Sequence, residues 1–225
     1  MRRPRRSGPG AITARRVRTF PGAPSGTKLT GMVTGEQVHP EDVDAWRAWL
    51  TEHHDRGTGV WLVTWKARTG RPTVGYEESV EQALCFGWID STHRSVDDER
   101  SMMWFAPRRR GSGWARSNKQ RIERLEAAGL MAPAGRALID AAKADGSWTM
   151  LDDVEDLVVP PDLAEAFAAH PGAREYWETL SRSPRRAMLA WVAEAKRPGT
   201  RAGRVAQVAE RAAAGEVAFP RPAGG

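Results

Sequence analysis

A chain of 225 residues with 40% apolar residues is long enough to bury a hydrophobic core, which argues against a wholly disordered protein. Its one cysteine, Cys85, excludes an intramolecular disulfide framework and a zinc site built from cysteines, and agrees with a reducing compartment. No apolar run approaches the roughly 18 residues of a membrane-spanning helix, so the sequence predicts no membrane span.

The net charge of the chain is distributed unevenly. Residues 1–35 carry +8 against +6 for the whole chain, so residues 36–225 carry −2 and the folded body is not basic. Nucleic-acid binding is therefore expected only through residues 1–35, whose Gly, Pro and Ser content predicts a disordered arm. Two interpretations of this arm stay open: it binds polyanions, or it is a dispensable extension and the natural start is Met32. It lacks the apolar core of an export signal, which predicts a cytoplasmic protein.

The first half of the folded body begins with a predicted helix, strand and helix. Apolar residues recur at spacings of three and four over 40–53, which indicates an amphipathic helix with Pro40 in its first turn. Val60–Lys66 is rich in β-branched and aromatic residues and predicts a buried strand. Helical spacing returns over Tyr76–Phe86 and ends at Gly87.

Two short β-prone segments come next, over 88–92 and 102–106. The charged residues between them predict a strand pair with a polar connection. Ser117–Gln120 matches a capping box and predicts the start of a helix that ends at Gly129. A further helix is predicted from Pro133 to Asp145.

From Leu151 onward the pattern is helical only, with prolines at or near three predicted helix starts and a last amphipathic stretch before Gly215. The sequence therefore predicts an α+β fold with a small, mostly antiparallel sheet, followed by an all-helical C-terminal segment. The predicted domains are a disordered Arg-rich tail (1–35), an α+β domain (36–150), a helical segment (151–218) and a disordered end (219–225).

An ordered set of uncommon residues runs through this sequence. It comprises Gln82–Ser91, Arg94, Asp97–Arg100, Phe105, Pro107–Arg109, Gly111–Ser112, Trp114, Asn118–Lys119, Arg121, Met131–Gly135, Asp145–Trp148, Ser181–Arg186, Ala195–Lys196 and Thr200–Arg201. On these residues the chain resembles the YdeI/OmpD-associated family over roughly residues 40–215. The resemblance implies a bacterial bacteriocin-protection protein tied to stress resistance, and it implies no reaction. The family is sometimes described as periplasmic, and this sequence departs from that description.

The segment Arg108–Trp114 is the leading candidate for a binding site. It leads into the predicted cap at Ser117, and helix amides, the helix dipole and forked guanidinium groups all favour phosphate or carboxylate. Gly111 and Gly113 would allow close backbone approach. The alternative interpretation is a solvated basic turn whose arginines pair with Asp97–Glu99.

These observations predict a small anionic ligand. A more specific hypothesis is that the ligand is also planar, because tryptophans in or beside the segment could stack on a ring. The alternative is that these tryptophans belong to the core. The predicted ligand-binding residues are Arg94, Arg100, Trp104, Arg108, Arg109, Ser112, Trp114, Asn118 and Lys119.

Two other functions stay open. An enzyme could act on the same ligand, with Asp90 or His93 at the end of a predicted strand as the proton-transfer group. Alternatively, a nucleic-acid or stress-response interaction protein could work through the basic arm.

Other candidates for chemistry are weaker. Cys85 lies on an apolar helix face and is interpreted as a buried hydrophobe, and the adjacent His53 and His54 fall on different helix faces. No nucleotide-binding, nucleophile-elbow or zinc-protease motif occurs, so no metal and no cofactor is predicted. Nothing in the sequence predicts an oligomeric state.

Overall fold

The computed structural model describes residues 18–19 and 34–218. These residues form two compact units. The first consists of the chain up to Ala83 together with Trp88–Pro107, and the second consists of Leu84–Gly87 together with the chain from Arg108 onward. The predicted disordered tail lies outside the described residues except at 18–19 and 34–35, and the predicted disordered end, 219–225, lies outside them entirely.

The first unit is built on a five-stranded mixed sheet. Its strands are β1 (Arg18–Thr19), β2 (Gln37–His39), β3 (Val60–Trp65), β4 (Trp88–Ser95) and β5 (Arg100–Pro107). They lie in the order β1-β2-β3-β5-β4, and every pairing is antiparallel except that of β2 with β3. The parallel pair is joined by helix α1 (Val43–His53), as a parallel connection requires a crossover. The predicted α+β class and mostly antiparallel sheet are confirmed.

Helix α1 forms because its apolar residues fall on one face. Trp46, Trp49 and Leu50 are buried, and Trp46 packs on Phe105 of β5 with 5.4 Å between ring centroids. The predicted start at Pro40 is wrong. Asp42 is the N-cap and its carboxylate accepts the Ala45 amide at 2.9 Å, so the helix begins at Val43. The hydrogen bond between the Asp42 side chain and a first-turn amide therefore sets the start of the helix, and the restricted φ of Pro40 does not.

The strand pair β4–β5 and helix α2 (Tyr76–Cys85) follow the prediction closely. Residues 96–99 connect the two strands, and Gly87 follows α2 with a φ of 78°. Strand β3 is buried along most of its length because it lies between β2 and β5. Trp61, Val63 and Met102 form a separate apolar cluster on the sheet.

Among its described residues, the second unit contains helices and the loops between them but no strand. Its helices are α3 (Arg116–Ala127), α4 (Pro133–Asp145), α5 (Asp152–Glu155), α6 (Pro161–Ala169), α7 (Ala173–Thr179), α8 (Arg182–Ala193) and α9 (Pro198–Ala213). Helix α4 has the predicted bounds, with a proline in its first turn and Gly146 in the left-handed region after its last residue. The predicted all-helical C-terminal segment is confirmed.

The predicted capping box at Ser117 is wrong. Helix α3 begins at Arg116, its N-cap is Ala115, and no side chain caps it. The Ala115 carbonyl accepts the amides of Asn118 and Lys119 at 3.0 and 3.1 Å, so Ser117 already lies inside the first turn. A hydroxyl within the turn is not placed to accept from the first free amides.

A hydrophobic core cluster of the second unit is formed by α5 to α9 and residues beside them. Leu163, Phe167, Trp177 and Val208 are among its buried side chains, with Phe167 and Trp177 5.3 Å apart between ring centroids. The two compact units divide between Pro107 and Arg108, whereas the helical segment that contains α5 to α9 has its own hydrophobic core. The predicted domain boundary near residue 150 therefore stays a prediction.

The carboxylate of Glu155 in α5 is held by α8. It accepts hydrogen bonds from the Arg186 guanidinium at 2.6 and 3.0 Å, and its side chain is 13% exposed. The Arg186 hydrogen bonds lower the pKa of Glu155 below its ordinary value, against the opposing effect of burial. The pair therefore joins a short helix to the longer one that packs on it.

We expect Glu155→Gln to cost about 1 kcal/mol of unfolding free energy at pH 7. A carboxylate whose pKa falls on folding contributes stability above its unfolded pKa, about 4.3, and loses it as the pH falls through the folded pKa. The deficit of the variant should therefore shrink below about pH 4 in urea unfolding measured from pH 7 to pH 3. Glu178→Gln, which removes an exposed pair with Arg174, is the control and should change little. An equal deficit at both ends of the range would contradict the assignment.

Candidate functional site

The predicted binding residues fall into one group in each unit. In the first unit, Arg100 donates to the Asp97 carboxylate at 2.6 and 2.8 Å. The same hydrogen bonds, opposed by desolvation, lower the pKa of Asp97. The charge of Arg100 is thus balanced within the β4–β5 turn.

Arg94 and Trp104 lie beside the tryptophans of β3. The Arg94 guanidinium lies 5.4 Å from the ring centroid of Trp61, and Trp104 meets the same ring edge-on at 5.2 Å. Arg71 and Arg100 lie at 4.2 and 5.9 Å from the ring of Trp65. These arginines therefore cover tryptophan rings of the sheet.

Asp90 and His93 lie on β4, on either side of a register shift in its pairing with β5. The Asp90 carboxylate accepts a hydrogen bond from the Tyr76 hydroxyl at 3.2 Å, and His93 is exposed. Their role in proton transfer stays a prediction.

In the second unit, the loop from Arg108 to Trp114 holds Arg108 firmly. Its guanidinium lies 3.7 Å from the ring centroid of Trp114 and donates to the Gly113 carbonyl at 2.9 Å and the Ser112 hydroxyl at 3.3 Å. Its buried Nε atom has no hydrogen-bond partner among the described residues. Burial lowers the pKa of Arg108 to about 10, so it stays charged at neutral pH.

Trp114 serves this arginine as a platform. The indole is 3% exposed and packs against Trp148 with 5.2 Å between ring centroids. One face of the ring is covered by Arg108. The position of Trp114 therefore fixes the guanidinium and leaves that ring face closed to a stacked ligand.

A small pocket opens beside the loop, with about 230 Å³ of empty space that includes some open to solvent. One side is formed by Arg108, Arg109, Arg110 and Gly111. Other lining residues belong to α4 and the turn that follows it, and they include Leu138, Ala142, Asp145 and Ser147. The lining of the pocket thus combines three arginines with apolar residues of α4 and one aspartate.

Lys196, between α8 and α9, adds a fourth cation that sequence reasoning missed as a binding residue. A β-carbon built on Gly111 would lie 3.3 Å from the Lys196 Nζ atom and 4.0 Å from the Asp145 Oδ2 atom. The pKa of Asp145 is lowered first by hydrogen bonds from Ser147, then by the charges of Lys196 and Arg110. The sequence did contain one signal for the importance of Lys196, since this residue belongs to the set that carries the family resemblance.

Three other predicted residues make local contacts instead. Ser112 donates to the Arg109 carbonyl at 2.7 Å, and Asn118 accepts from Arg121 at 2.9 Å. Lys119 pairs with Asp152 and lies 5.3 Å from the ring of Trp148. Neither Asn118 nor Lys119 is among the residues that line the pocket.

Within residues 18–19 and 34–218, no group of three or more His, Cys, Asp or Glu side chains is placed to hold a metal ion. In that same part of the chain, no helix combines the length and the apolar character needed to cross a membrane. Cys85 is fully buried at the end of α2.

Two family models match the chain. Residues 38–138 match a domain of unknown function (DUF8412), which contains the central run from Gln82 to Arg121. Residues 156–215 match the family described as "Bacteriocin-protection, YdeI or OmpD-Associated", which contains Lys196. No curated protein matches the chain, and no solved structure matches it. The match over residues 156–215 supports the predicted resemblance to the YdeI/OmpD-associated family.

Proposed function

We propose that this protein binds a small anion in the pocket beside Arg108, Arg109 and Arg110. The observation that carries the proposal is that these three arginines all line one pocket, while none of them forms a salt bridge with another described residue. Like charges held close together repel each other, and a bound anion relieves that repulsion. A fork of N–H donors also matches the oxygens of carboxylate and phosphate.

Arg108 is the preorganised member of the set. Trp114 and the Gly113 carbonyl hold its guanidinium in place before any ligand arrives, so little side-chain freedom is lost on binding. Arg109 and Arg110 are exposed and supply charge at the mouth of the pocket. This arrangement supports a site in which Arg108, held in place, orients the anion, and the long exposed side chains of Arg109 and Arg110 also bind it.

The size of the pocket supports a small ligand. The 230 Å³ of empty space includes open solvent, so the enclosed part of the pocket is smaller than that value. Leu138 and Ala142 give the pocket an apolar part of its lining beside the arginines. A planar ligand finds no support in this pocket, because Arg108 covers the Trp114 ring.

The double variant Arg109→Gln, Arg110→Gln tests the proposal. We expect phosphate, sulfate or acetate to raise the melting temperature of the parent protein by mass action, and calorimetry to show at least about tenfold weaker binding by the variant. Arg136→Gln, Lys143→Gln removes the same charge from exposed positions of α4 and is the matched control. The proposal is wrong if none of these anions binds the parent, or if the double variant binds as the control does.

A further inference from the structure

We infer that the anion is a doubly charged phosphate group, that Lys196 completes its site, and that Asp145 is a built-in counter-ion which competes with it. This inference rests on the anion site proposed above and names its ligand class. Four residues carry it: Gly111, Asp145, Ser147 and Lys196. All of them belong to the second unit.

Lys196 reaches the binding loop because Gly111 has no side chain. Its Nζ atom lies 3.3 Å from the point where a β-carbon of residue 111 would sit, closer than side chains normally approach. Gly111 also has a φ of 68°, which disfavours any other residue. The ammonium group is exposed and forms no salt bridge with another described residue. It is therefore placed beside the arginine loop with its charge available.

Asp145 supplies the opposite charge at the same place. Its Oδ1 atom accepts the amide and hydroxyl of Ser147 at 2.9 and 2.5 Å, which fixes the carboxylate at the end of α4. Its Oδ2 atom lies 4.0 Å from the same β-carbon point at Gly111. One oxygen is thus held by the protein while the other faces the cations that a ligand would use.

The charges around the pocket favour a dianion over a monoanion. Among the described residues that line the pocket or lie beside Gly111, four are cationic (Arg108, Arg109, Arg110 and Lys196) and Asp145 is anionic, which leaves an excess of three positive charges. A singly charged ligand would leave two of them unbalanced, whereas a doubly charged ligand would leave one. Since each added ligand charge interacts with several nearby cations, the second charge should strengthen binding by about tenfold or more at low salt.

Methyl phosphate and methyl sulfate are the probes that test the charge requirement. They have nearly the same shape, but at pH 7.5 the phosphate is mostly doubly charged and the sulfate is singly charged, since a phosphate monoester loses its second proton near pH 6. We expect methyl phosphate to bind the full-length protein about tenfold more tightly at pH 7.5, in calorimetry at low salt. At pH 5.5 the preference should shrink to about twofold or threefold, because the phosphate regains a proton.

The protein groups that face the pocket do not explain such a change. Among the described residues they are the three arginines, Lys196 and Asp145, and the residues that line the pocket include no histidine. Hydrogen bonds from Ser147 keep the pKa of Asp145 low, so it stays ionised at pH 5.5. A loss of preference at this pH therefore reports the ligand's own proton.

Three single variants test the two named residues. Lys196→Gln should weaken methyl phosphate binding by about threefold to tenfold, and Asp145→Asn should strengthen it by about threefold. The asparagine keeps an oxygen for the Ser147 hydrogen bonds, so the turn is retained. Arg136→Gln, which removes an exposed charge from α4 at a residue that does not line the pocket, should leave binding unchanged.

The outcomes separate this inference from the proposed function. If methyl phosphate and methyl sulfate bind equally, and Lys196→Gln and Asp145→Asn alter neither, the site binds anions but the phosphate assignment is wrong. If neither probe nor acetate binds the parent protein, the anion site itself is wrong. Preference for methyl phosphate together with opposite effects of the two variants would support the inference in full.

Discussion

Replacing Gly135 with alanine should destabilise the protein by about 2–3 kcal/mol, even though alanine is the better helix former. A β-carbon at this position of α4 would lie 2.3 Å from the carbonyl oxygen of Cys85 and 3.0 Å from that of Leu84. The Ala132 amide donates to the same Cys85 carbonyl at 3.0 Å, so the start of α4 rests directly on the backbone of Leu84–Gly87. Backbone cannot rotate away as a side chain can, and the helix would have to shift.

Gly203→Ala is the matched control for that substitution. Gly203 lies inside α9, and a β-carbon there would meet no atom within 4 Å. The expected result is a gain of about 0.5–1 kcal/mol, because alanine loses less backbone freedom than glycine in a helix. Urea unfolding of both variants measures the difference. If Gly135→Ala were as stable as Gly203→Ala, the close approach of α4 to Cys85 would be disproved.

Trp114→Ala should cause the largest single loss, about 3–5 kcal/mol of unfolding free energy. The indole is 3% exposed, packs against Trp148 and supports the Arg108 guanidinium. Its removal leaves a cavity and frees Arg108 to adopt other rotamers. Anion binding in the proposed site should therefore weaken together with stability, measured by calorimetry below the unfolding temperature.

Two further variants separate these effects. Trp114→Phe keeps a ring beneath Arg108, so it should cost less stability and retain most of the anion affinity. Trp191→Ala removes a half-buried indole of α8 that packs against Arg204 and does not line the pocket. It should lower stability without changing anion binding. Equal loss of binding in Trp191→Ala would show that the effect of Trp114→Ala is only a general loss of stability.

Sequence analysis identified several residues that line the pocket, but it did not predict which groups they contact. Arg108, Arg109 and Trp114 were predicted from their proximity in the chain, and the structure places them together at one pocket. The capping box was misjudged because the Ala115 carbonyl, which no sequence pattern marks, accepts the first-turn amides. Arg100 was predicted to share the site, and in the structure it pairs with Asp97 in the other unit.

The sequence by itself determined the local structure of this protein: the apolar spacing of α1, the proline and glycine that bound α4, and the helical character of the chain after Leu151. Those features depend on residues three or four positions apart, which a linear reading can see. Only the tertiary structure decided that Asp145 and Lys196 meet at Gly111. Their proximity depends on how the end of α4 and the connection between α8 and α9 pack near the loop, and packing between distant segments has no local signature.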